Sequence, residues 1–449
     1  MNSKFIKIFV ALFLVAYGGL AFAAVSSQEA AQLGNKLTLV GAEKAGNADG
    51  SIPAYEGGNK KAPASFKRAT GKRPDPYANE KPLFSINSKN MNQYADKLTE
   101  GTKGLMKKYP DYRIDIYKTH RSVWYPQFVL DGTVKMATKA RTVNNGISLK
   151  DAKAGYPFPI PKTGAEVMWN HMLTYIGTAL DVNMSAFFMD RSGRATETGR
   201  SSDNYDYPYW DTKTNLPYAY LNFIEFTAPA RMSGQLMMWH EPLDRSTTDA
   251  KVWQYLPGQR RVKMAPEVAF DTPNTATSGA MTYDDTYMFN GSMERYDWKL
   301  VGKKEMYVPY NAYRACYAGS LKELKPKFYD PSALRFELHR VWVVEATLKP
   351  GKRHIYKTRR FYVDEDSWTC VANESYDAQG KLYKATHAFF SPSYDVGGGY
   401  GYSTVQYDLI GGLYIMNMWK DGGSQVKIHN KRKPMTFYSP EAMAAKGVR

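Results

Sequence analysis

Between residues 216 and 390 a period-two pattern of apolar and aromatic residues recurs in short segments: 216–226, 234–240, 252–256, 261–264, 294–300, 339–348, 354–363, 368–372 and 381–390. Such a period sends alternate side chains to opposite faces of an extended chain, so each segment reads as a β-strand. Hairpin-sized turns join several of them: Leu256-Pro-Gly-Gln, Lys349-Pro-Gly-Lys, Asp364-Glu-Asp-Ser and Asp377-Ala-Gln-Gly. Hairpins in series build an antiparallel meander. An aromatic content of 14%, with 34 Tyr, favours the same outcome. The expectation is a mainly β (α+β) chain: one large, strongly curved antiparallel sheet with a few helices. It is a single domain over 24–449, with an N-terminal arm and amphipathic helix in 24–160 and the sheet in 161–430.

Helices are expected where the period lengthens. Ser26 and Glu29 have capping-box spacing ahead of a short helix over 27–36. Segment 47–81 is rich in Gly, Pro, Lys and Asn and reads as an arm lying on something else. Tyr94, Leu98, Leu105 and Tyr109 recur at helical spacing, which predicts a helix over 91–108 stopped by Pro110. Thr163 and Glu166 form a second capping box. Val167, Met168, His171, Met172, Tyr175 and Ile176 line one face of the helix they open, and Gly177 closes it. Pro440 starts a short final helix that Gly447 ends.

The N-terminus sets the compartment. Lys4 and Lys7 precede an apolar run, and Ala21-Phe22-Ala23 supplies small residues where a signal peptidase cuts. That pattern is a cleavable signal peptide over 1–23. No later apolar stretch approaches the roughly 20 residues that cross a bilayer. Export separates the chain from ATP, NAD and chromosomal DNA, so the formal net charge of +17 points away from nucleic acid and toward an anionic membrane surface or acidic glycans. In an oxidising compartment Cys316 and Cys370 are candidates for a disulfide.

Motifs for chemistry are sparse. The 7 histidines are scattered, and His240-Glu241-Pro242 lacks the second His of a zinc helix. His171, on an apolar helical face, reads as a hydrogen-bonded core residue. No Gly-x-Ser-x-Gly elbow occurs. Gly397-Gly-Gly-Tyr-Gly-Tyr402 lacks the Lys-Ser/Thr ending of a phosphate loop and reads as a turn. No catalytic residue, metal site or cofactor is therefore expected. The positive feature is the aromatic and Met content of the strands. A sheet that curls on itself can leave an apolar cavity. Its candidate lining is Met172, Tyr175, Met237, Trp239, Trp253, Tyr255, Trp342 and Phe361.

Trp253-Gln-Tyr-Leu-Pro-Gly-Gln-Arg-Arg-Val-Lys and Arg295-Tyr-Asp-Trp-Lys-Leu-Val-Gly-Lys-Lys-Glu carry a resemblance, as do Leu37-Thr-Leu-Val-Gly-Ala-Glu-Lys-Ala-Gly-Asn-Ala-Asp-Gly-Ser-Ile-Pro-Ala-Tyr-Glu-Gly-Gly, Pro157-Phe-Pro-Ile-Pro, Trp169-Asn-His171 and His339-Arg-Val-Trp-Val-Val-Glu-Ala-Thr. Together these blocks resemble the proteobacterial family called domain of unknown function 1329, along the whole chain after residue 23. Leu39 and Tyr55 stand where that family has Pro and Trp. The resemblance implies a LolA/LolB-like fold, an unclosed antiparallel β-barrel plugged by helices, whose apolar interior shields a lipid chain in the periplasm of a Gram-negative bacterium. It also implies work beside an inner-membrane exporter of the resistance-nodulation-division type and an outer-membrane protein. It transfers no catalytic residue. The expected function is that of a non-enzymatic carrier or binding protein for a lipid or other hydrophobic molecule. Two alternatives stand beside it. One is a hydrolase acting on glycans or lipids through Asp284, Asp285 or Glu294; the other is an envelope adaptor with no small ligand.

Overall fold

The computed structural model describes residues 25–447 except 247, 266, 267, 269 and 421–424. The expected signal peptide, 1–23, lies outside the described residues. In chain order come α1 (Ser27–Ala30), β1 (Phe84–Asn87), α2 (Glu100–Lys108), β2 (Arg113–Ile116), α3 (Gln127–Ala137) and a small hairpin of β3 (Arg141–Val143) and β4 (Ser148–Lys150). Next are α4 (Gly164–Met172), β5 (Ala179–Met189), β6 (Ala195–Asp206), β7 (Tyr218–Ala228), β8 (Leu236–Pro242), β9 (Lys251–Leu256) and β10 (Arg261–Met264). Then follow β11 (Tyr296–Pro309), α5 (Tyr313–Tyr317), β12 (Phe336–Leu348), β13 (Thr358–Asp364), β14 (Cys370–Tyr376) and β15 (Leu382–Ala388). The chain ends with β16 (Ser391–Pro392), β17 (Gly399–Tyr400), β18 (Thr404–Asp408), β19 (Leu413–Trp419), β20 (Val426–His429) and α6 (Pro440–Gly447).

One 16-stranded sheet organises the molecule. It is built on two meanders, β5 to β10 in sequence order and β12, β13, β14, β15, β18 and β19, with the β1–β2 pair attached to the start of β12 where Ile116 lies opposite Phe336. The meanders join where β19 pairs antiparallel with β5, Tyr414 opposite Met189 and Met416 opposite Phe187. β20 pairs with the other end of β5. β11 extends the second half beyond β12, and β10 ends the first. Those rims pair with β12 and β9 and not with one another, so the sheet is unclosed. The expected serial meander is thereby corrected. The β9–β10 hairpin terminates one half, while the hairpins after β13 and β14 belong to the other. Turn residues report which neighbours pair locally; they carry nothing about β19 meeting β5.

β5 and β6 were also absent from the expected strands. β6 reads Ala-Thr-Glu-Thr-Gly-Arg-Ser-Ser-Asp-Asn-Tyr-Asp, too polar to signal a buried strand, yet it pairs along its length with both β5 and β7. The helix expected over 91–108 is broken. A 3-10 turn, Met91–Lys97, precedes extended Leu98, and the Thr99 side chain accepts from the Thr102 amide to cap a separate α2. α1 and α4 stop earlier than expected, at Ala30 and Met172. α4 plugs the interior, with Gly164 through His171 all buried. A Cβ on Gly164 would stand 2.9 Å from both the Lys299 carbonyl carbon and Val344 Cγ1, so glycine there lets α4 seat directly on β11 and β12.

The candidate disulfide does not form. Cys316 and Cys370 are free and buried on different elements. The Cys316 Sγ donates to the Phe389 carbonyl at 2.8 Å and the Cys370 Sγ to the Ala372 carbonyl at 3.2 Å. Burial pushes both thiols up to about 12. Each sulfur is turned onto a carbonyl rather than toward a partner sulfur.

Candidate functional site

The inner face of β5–β8 forms the floor of a hollow. Strand register sets its rows. Asp203 stands opposite Ile224, and Ile224 opposite Met237; one step along, Tyr205 faces Asn222, which faces Trp239. Period two keeps both rows on one face, and all six side chains line the same hollow. The roof is the connection after β10, which contributes Asn274, Ala276, Tyr283, Thr286, Tyr287 and Asn290. Gly199 permits the close approach of roof to floor, since a Cβ there would lie 3.1 Å from the Ala276 carbonyl oxygen. The hollow holds about 760 Å³ of atom-free space, part of it open to solvent, and water-sized spheres can be centred in about 100 Å³ of that. A second lobe of about 720 Å³ measured the same way, lined in part by Ile147, Trp169, Met172 and Met293, shares Tyr220, Tyr287 and Asn290 with the first.

Those shared residues are held firmly. The Tyr220 hydroxyl donates to Asn290 Oδ1 at 3.0 Å, and the hydroxyls of Tyr205 and Tyr287 are hydrogen-bonded. Tyr287 and Met288 both take left-handed backbone, φ 56° and 70°, a strained choice for side chains of this size. The surroundings fix it. His171 Nε2 on α4 donates to the Tyr287 carbonyl at 2.9 Å, and Asn373 Nδ2 donates to the Met288 carbonyl at 2.9 Å. His171 Nδ1 in turn accepts from the Cys370 amide at 3.1 Å. Burial brings this imidazole down to about 4, so it is neutral and serves as a two-sided clamp. That agrees with its reading as a hydrogen-bonded core residue.

The floor is apolar with a polar stripe. Ile224, Phe226, Met237 and Met184 supply the apolar area. Asp203 is 2% exposed and burial raises it to about 7. Its Oδ2 accepts from the Tyr205 hydroxyl at 3.2 Å. Its Oδ1, Asn222 Oδ1 and Ser185 Oγ receive no hydrogen bond from the protein.

The residues expected to line a cavity are not brought together. Met237 and Trp239 stand in the floor, and Met172 lines the second lobe. Tyr175 borders a surface groove beside Trp124 and Trp210. Trp253 and Tyr255 face the opposite side of the sheet, because Trp253 pairs with Met238 and Tyr255 with Leu236. There α6 covers them, and the Tyr255 hydroxyl donates to the Gly447 carbonyl at 2.7 Å. Trp342 stacks parallel to Trp368 under the Lys303 ammonium. Phe361 is buried between Phe289 and Trp298 in the other half of the sheet. Asp203, Tyr205, Tyr220, Asn222, Tyr287 and Asn290 went unnoticed in the sequence. Tyr220 and Asn222 alternate within the expected strand 216–226, and Ser201, Asp203 and Tyr205 alternate in the same way without enough apolar neighbours to mark a strand.

Two of the three carboxylates considered for hydrolysis, Asp284 and Asp285, are committed elsewhere. Asp284 Oδ2 accepts from Arg359 Nη1 at 2.9 Å and His354 Nε2 at 3.0 Å. Asp285 accepts from Arg359 Nη2 at 2.9 Å and the Tyr356 hydroxyl at 2.8 Å. Burial pushes Asp284 up, but the Arg359 guanidinium and His354 together hold it below its ordinary value. Glu294 lies in a 3-10 turn, Met293–Arg295. Among the described residues His339, Asp364 and Asp366 could approach one cation. However, Asp366 is gripped by Arg121 through two hydrogen bonds, of 2.7 and 2.9 Å. No described helix is long and apolar enough to cross a membrane.

An uncharacterised protein of Pseudomonas aeruginosa is 39% identical, covering 95% of both chains. Two solved structures are similar at lower identity. A DUF1329 family protein from Desulfovibrio piger matches at 13% identity and a TM-score of 0.42, over 62% of this chain and 97% of its own. A LolA superfamily protein from Nitrosomonas europaea matches at 13% and 0.38, over 63% and 100%. The sequence profile described as protein of unknown function DUF1329 matches residues 85–444, which leaves the block at 37–58 outside the matched span. With most of its length matched by that profile, the chain belongs to the DUF1329 family.

Proposed function

We propose that this protein is a periplasmic carrier or binding protein for a lipid or other hydrophobic molecule. The observation that carries the reading is the hollow over β5–β8, walled by Met184, Ile224, Phe226, Met237 and Trp239. Its enclosed part, about 100 Å³, is smaller than small-molecule sites of roughly 300–1,000 Å³, so a guest has to extend through the open mouth or widen the hollow. Binding there needs no catalysis. Burying about 14 methylenes at about 0.8 kcal/mol each is worth on the order of 11 kcal/mol gross. A membrane offers a chain the same burial. Exchange between protein and bilayer is then near balance, as a shuttle requires. An exporter of the resistance-nodulation-division type and an outer-membrane protein are the proposed partners, and the basic surface suits docking to anionic lipid.

Mass spectrometry of the gently purified protein tests the reading, together with titration by the neutral probe N-phenyl-1-naphthylamine. A co-purifying hydrophobic molecule and saturable probe binding are expected. Ile224→Trp, which fills the floor, should abolish probe binding while the protein stays folded. A protein that is always empty, and whose probe signal ignores Ile224→Trp, overturns the carrier reading in favour of a ligand-free adaptor.

A further inference from the structure

We infer that the cleft around Trp124 is a second binding site, separate from the hollow, and that it takes an acidic glycan strand. The inference goes beyond the carrier reading and does not depend on it.

Space comes first. Trp124 is shared by two surface recesses. Water-sized spheres can be centred in about 750 Å³ of one and about 380 Å³ of the other, so each reaches the size of small-molecule sites on the measure by which the hollow falls short. The half-buried rings of Trp124 and Phe128 border the larger recess, with Tyr175 and Trp210 packed edge to face more deeply. Trp124 is fixed in place. Its Nε1 donates to the Tyr394 carbonyl at 3.2 Å, and its own carbonyl accepts from the Gly398 amide at 2.7 Å. The glycine-rich turn noted in the sequence permits that approach. A Cβ on Gly398, at φ 64°, would collide with the Tyr175 carbonyl oxygen, and one on Gly397 would lie 3.0 Å from that of Trp124.

Charge selects the class of occupant. Asp211 and Asp395 border the larger recess, and both are already ion-paired, Asp211 with Arg432 at 2.8 Å and Asp395 with Arg73 at 2.7 Å. Lys213 and Lys431 border the same recess, and Lys44 and Lys60 the smaller one. All four are exposed, and none forms an ion pair with a described carboxylate. Cations lining a recess without internal anions favour an anionic guest.

Shape and local chemistry narrow the choice. A bilayer surface is broad and flat and meets protruding side chains, not a recess. Every residue bordering the two recesses lies outside the strands of the sheet, so no strand edge is offered along which an acidic peptide could pair its main chain. A glycan needs none. The C–H face of a sugar ring packs on an aromatic ring such as Trp124, and its hydroxyls pair with polar side chains. Thr212 and Asn430 border the larger recess, are exposed, and have side chains without a hydrogen-bond partner among the described residues. The Lys60 ammonium stands 5.2 Å from the centre of the Trp124 ring, which puts a cation beside that platform. Acidic groups along one strand then meet Lys213 and Lys431 in one recess and Lys44 and Lys60 in the other.

The test is calorimetric titration of the intact protein with an oligogalacturonate, a phosphorylated malto-oligosaccharide, the neutral malto-oligosaccharide, oligoglutamate and phosphatidylglycerol vesicles. At least one of the two acidic sugars should bind saturably, and which one does identifies the acidic group. Neutral sugar and oligoglutamate should each bind about tenfold more weakly. Lys213→Glu combined with Lys431→Glu should weaken the acidic sugar about tenfold, and Trp124→Ala by a similar factor. The same charge change on β10, Arg261→Glu with Lys263→Glu, should leave binding unaltered. If Trp124→Ala fails to fold, the two charge pairs still decide, since all four of those side chains are exposed. Equal binding by the neutral sugar removes the role of charge, equal binding by oligoglutamate points to an acidic peptide, and stronger capture by vesicles points to a membrane; each overturns the inference. So does failure of both acidic sugars to bind. A β10 pair that matters as much as the cleft pair overturns it too, because that is diffuse attraction to a chain of net charge +17. None of these outcomes bears on the hollow, so the carrier reading is decided separately.

Discussion

In the half of the sheet built from β5 to β8 the inner face meets a roof loop and keeps open space. In the half built from β11 to β15 the inner face is filled, and filled with charge. Arg359 is completely buried between Asp284 and Asp285. Arg121 is held by Asp366 and Glu365, and His339 sits between Glu337 and Asp364 with Tyr310 stacked on its ring at 3.7 Å. Both halves therefore contain buried polar groups, but with opposite bookkeeping. The filled half holds its buried charges in ion pairs, whereas the buried carboxyl of Asp203 in the open half is hydrogen-bonded by a tyrosine hydroxyl and raised by burial. Internal matching builds a scaffold.

Breaking a match should be the costliest change in the molecule. Arg359→Met strands two buried carboxylates and is expected to destabilise the protein by about 3–5 kcal/mol, read from chemical denaturation. If the cost is below about 1 kcal/mol, the network is not the scaffold described here.

The two halves also differed in how legible they were. Strands of the filled half carry strong apolar runs, such as Val341-Trp-Val-Val344, and their turns at Asp364 and Asp377 announced the pairing. The floor strand β6 was missed because Ser201, Asp203 and Tyr205 break the apolar pattern, and they break it because they face the hollow. Trp253 and Tyr255 misled for a related reason. An aromatic strand signals burial, but only register decides which face is buried against what, and here the cover is α6. The roof was beyond reach, since Tyr287 and Met288 hold their backbone through His171 and Asn373, which are distant in sequence.

pH should separate the halves next. Burial alone would lower His339, but Asp364 and Glu337 outweigh it and carry the imidazole up to about 9. A folded value above the ordinary 6.5 means that stabilisation is complete below about pH 6.5 and is lost as pH rises through about 9. A loss of about 3 kcal/mol across that window is expected from urea midpoints, and His339→Gln should flatten the slope. An unchanged slope in that variant would assign the pH response elsewhere.

Asp203 works in the reverse sense. Its folded value, raised by burial to about 7, means that the native state holds a proton the unfolded chain has released. Its contribution to stability is therefore present below about pH 4 and lost as pH climbs to about 7. Asp203→Asn should stabilise the protein at pH 8 by about 1–3 kcal/mol, with the gain vanishing near pH 4. Loss of stability at pH 8 would mean the carboxylate is matched after all.

The smallest effect is expected from apolar truncation at Ile224, and it tests the hollow directly. A large-to-small change in a sealed core loses the transfer energy of the deleted atoms and also opens a void, for about 2–5 kcal/mol in all. Leu338→Ala, at 2% exposure in the filled half, should fall in that range. Ile224 borders space that already exists and reaches solvent, so its deleted methyl groups leave no new sealed void. Ile224→Ala should then cost less than about 2 kcal/mol, the transfer term alone. Equal costs at the two positions, measured by denaturation under one set of conditions, would mean that the floor is packed as tightly as the scaffold and that the hollow closes in solution.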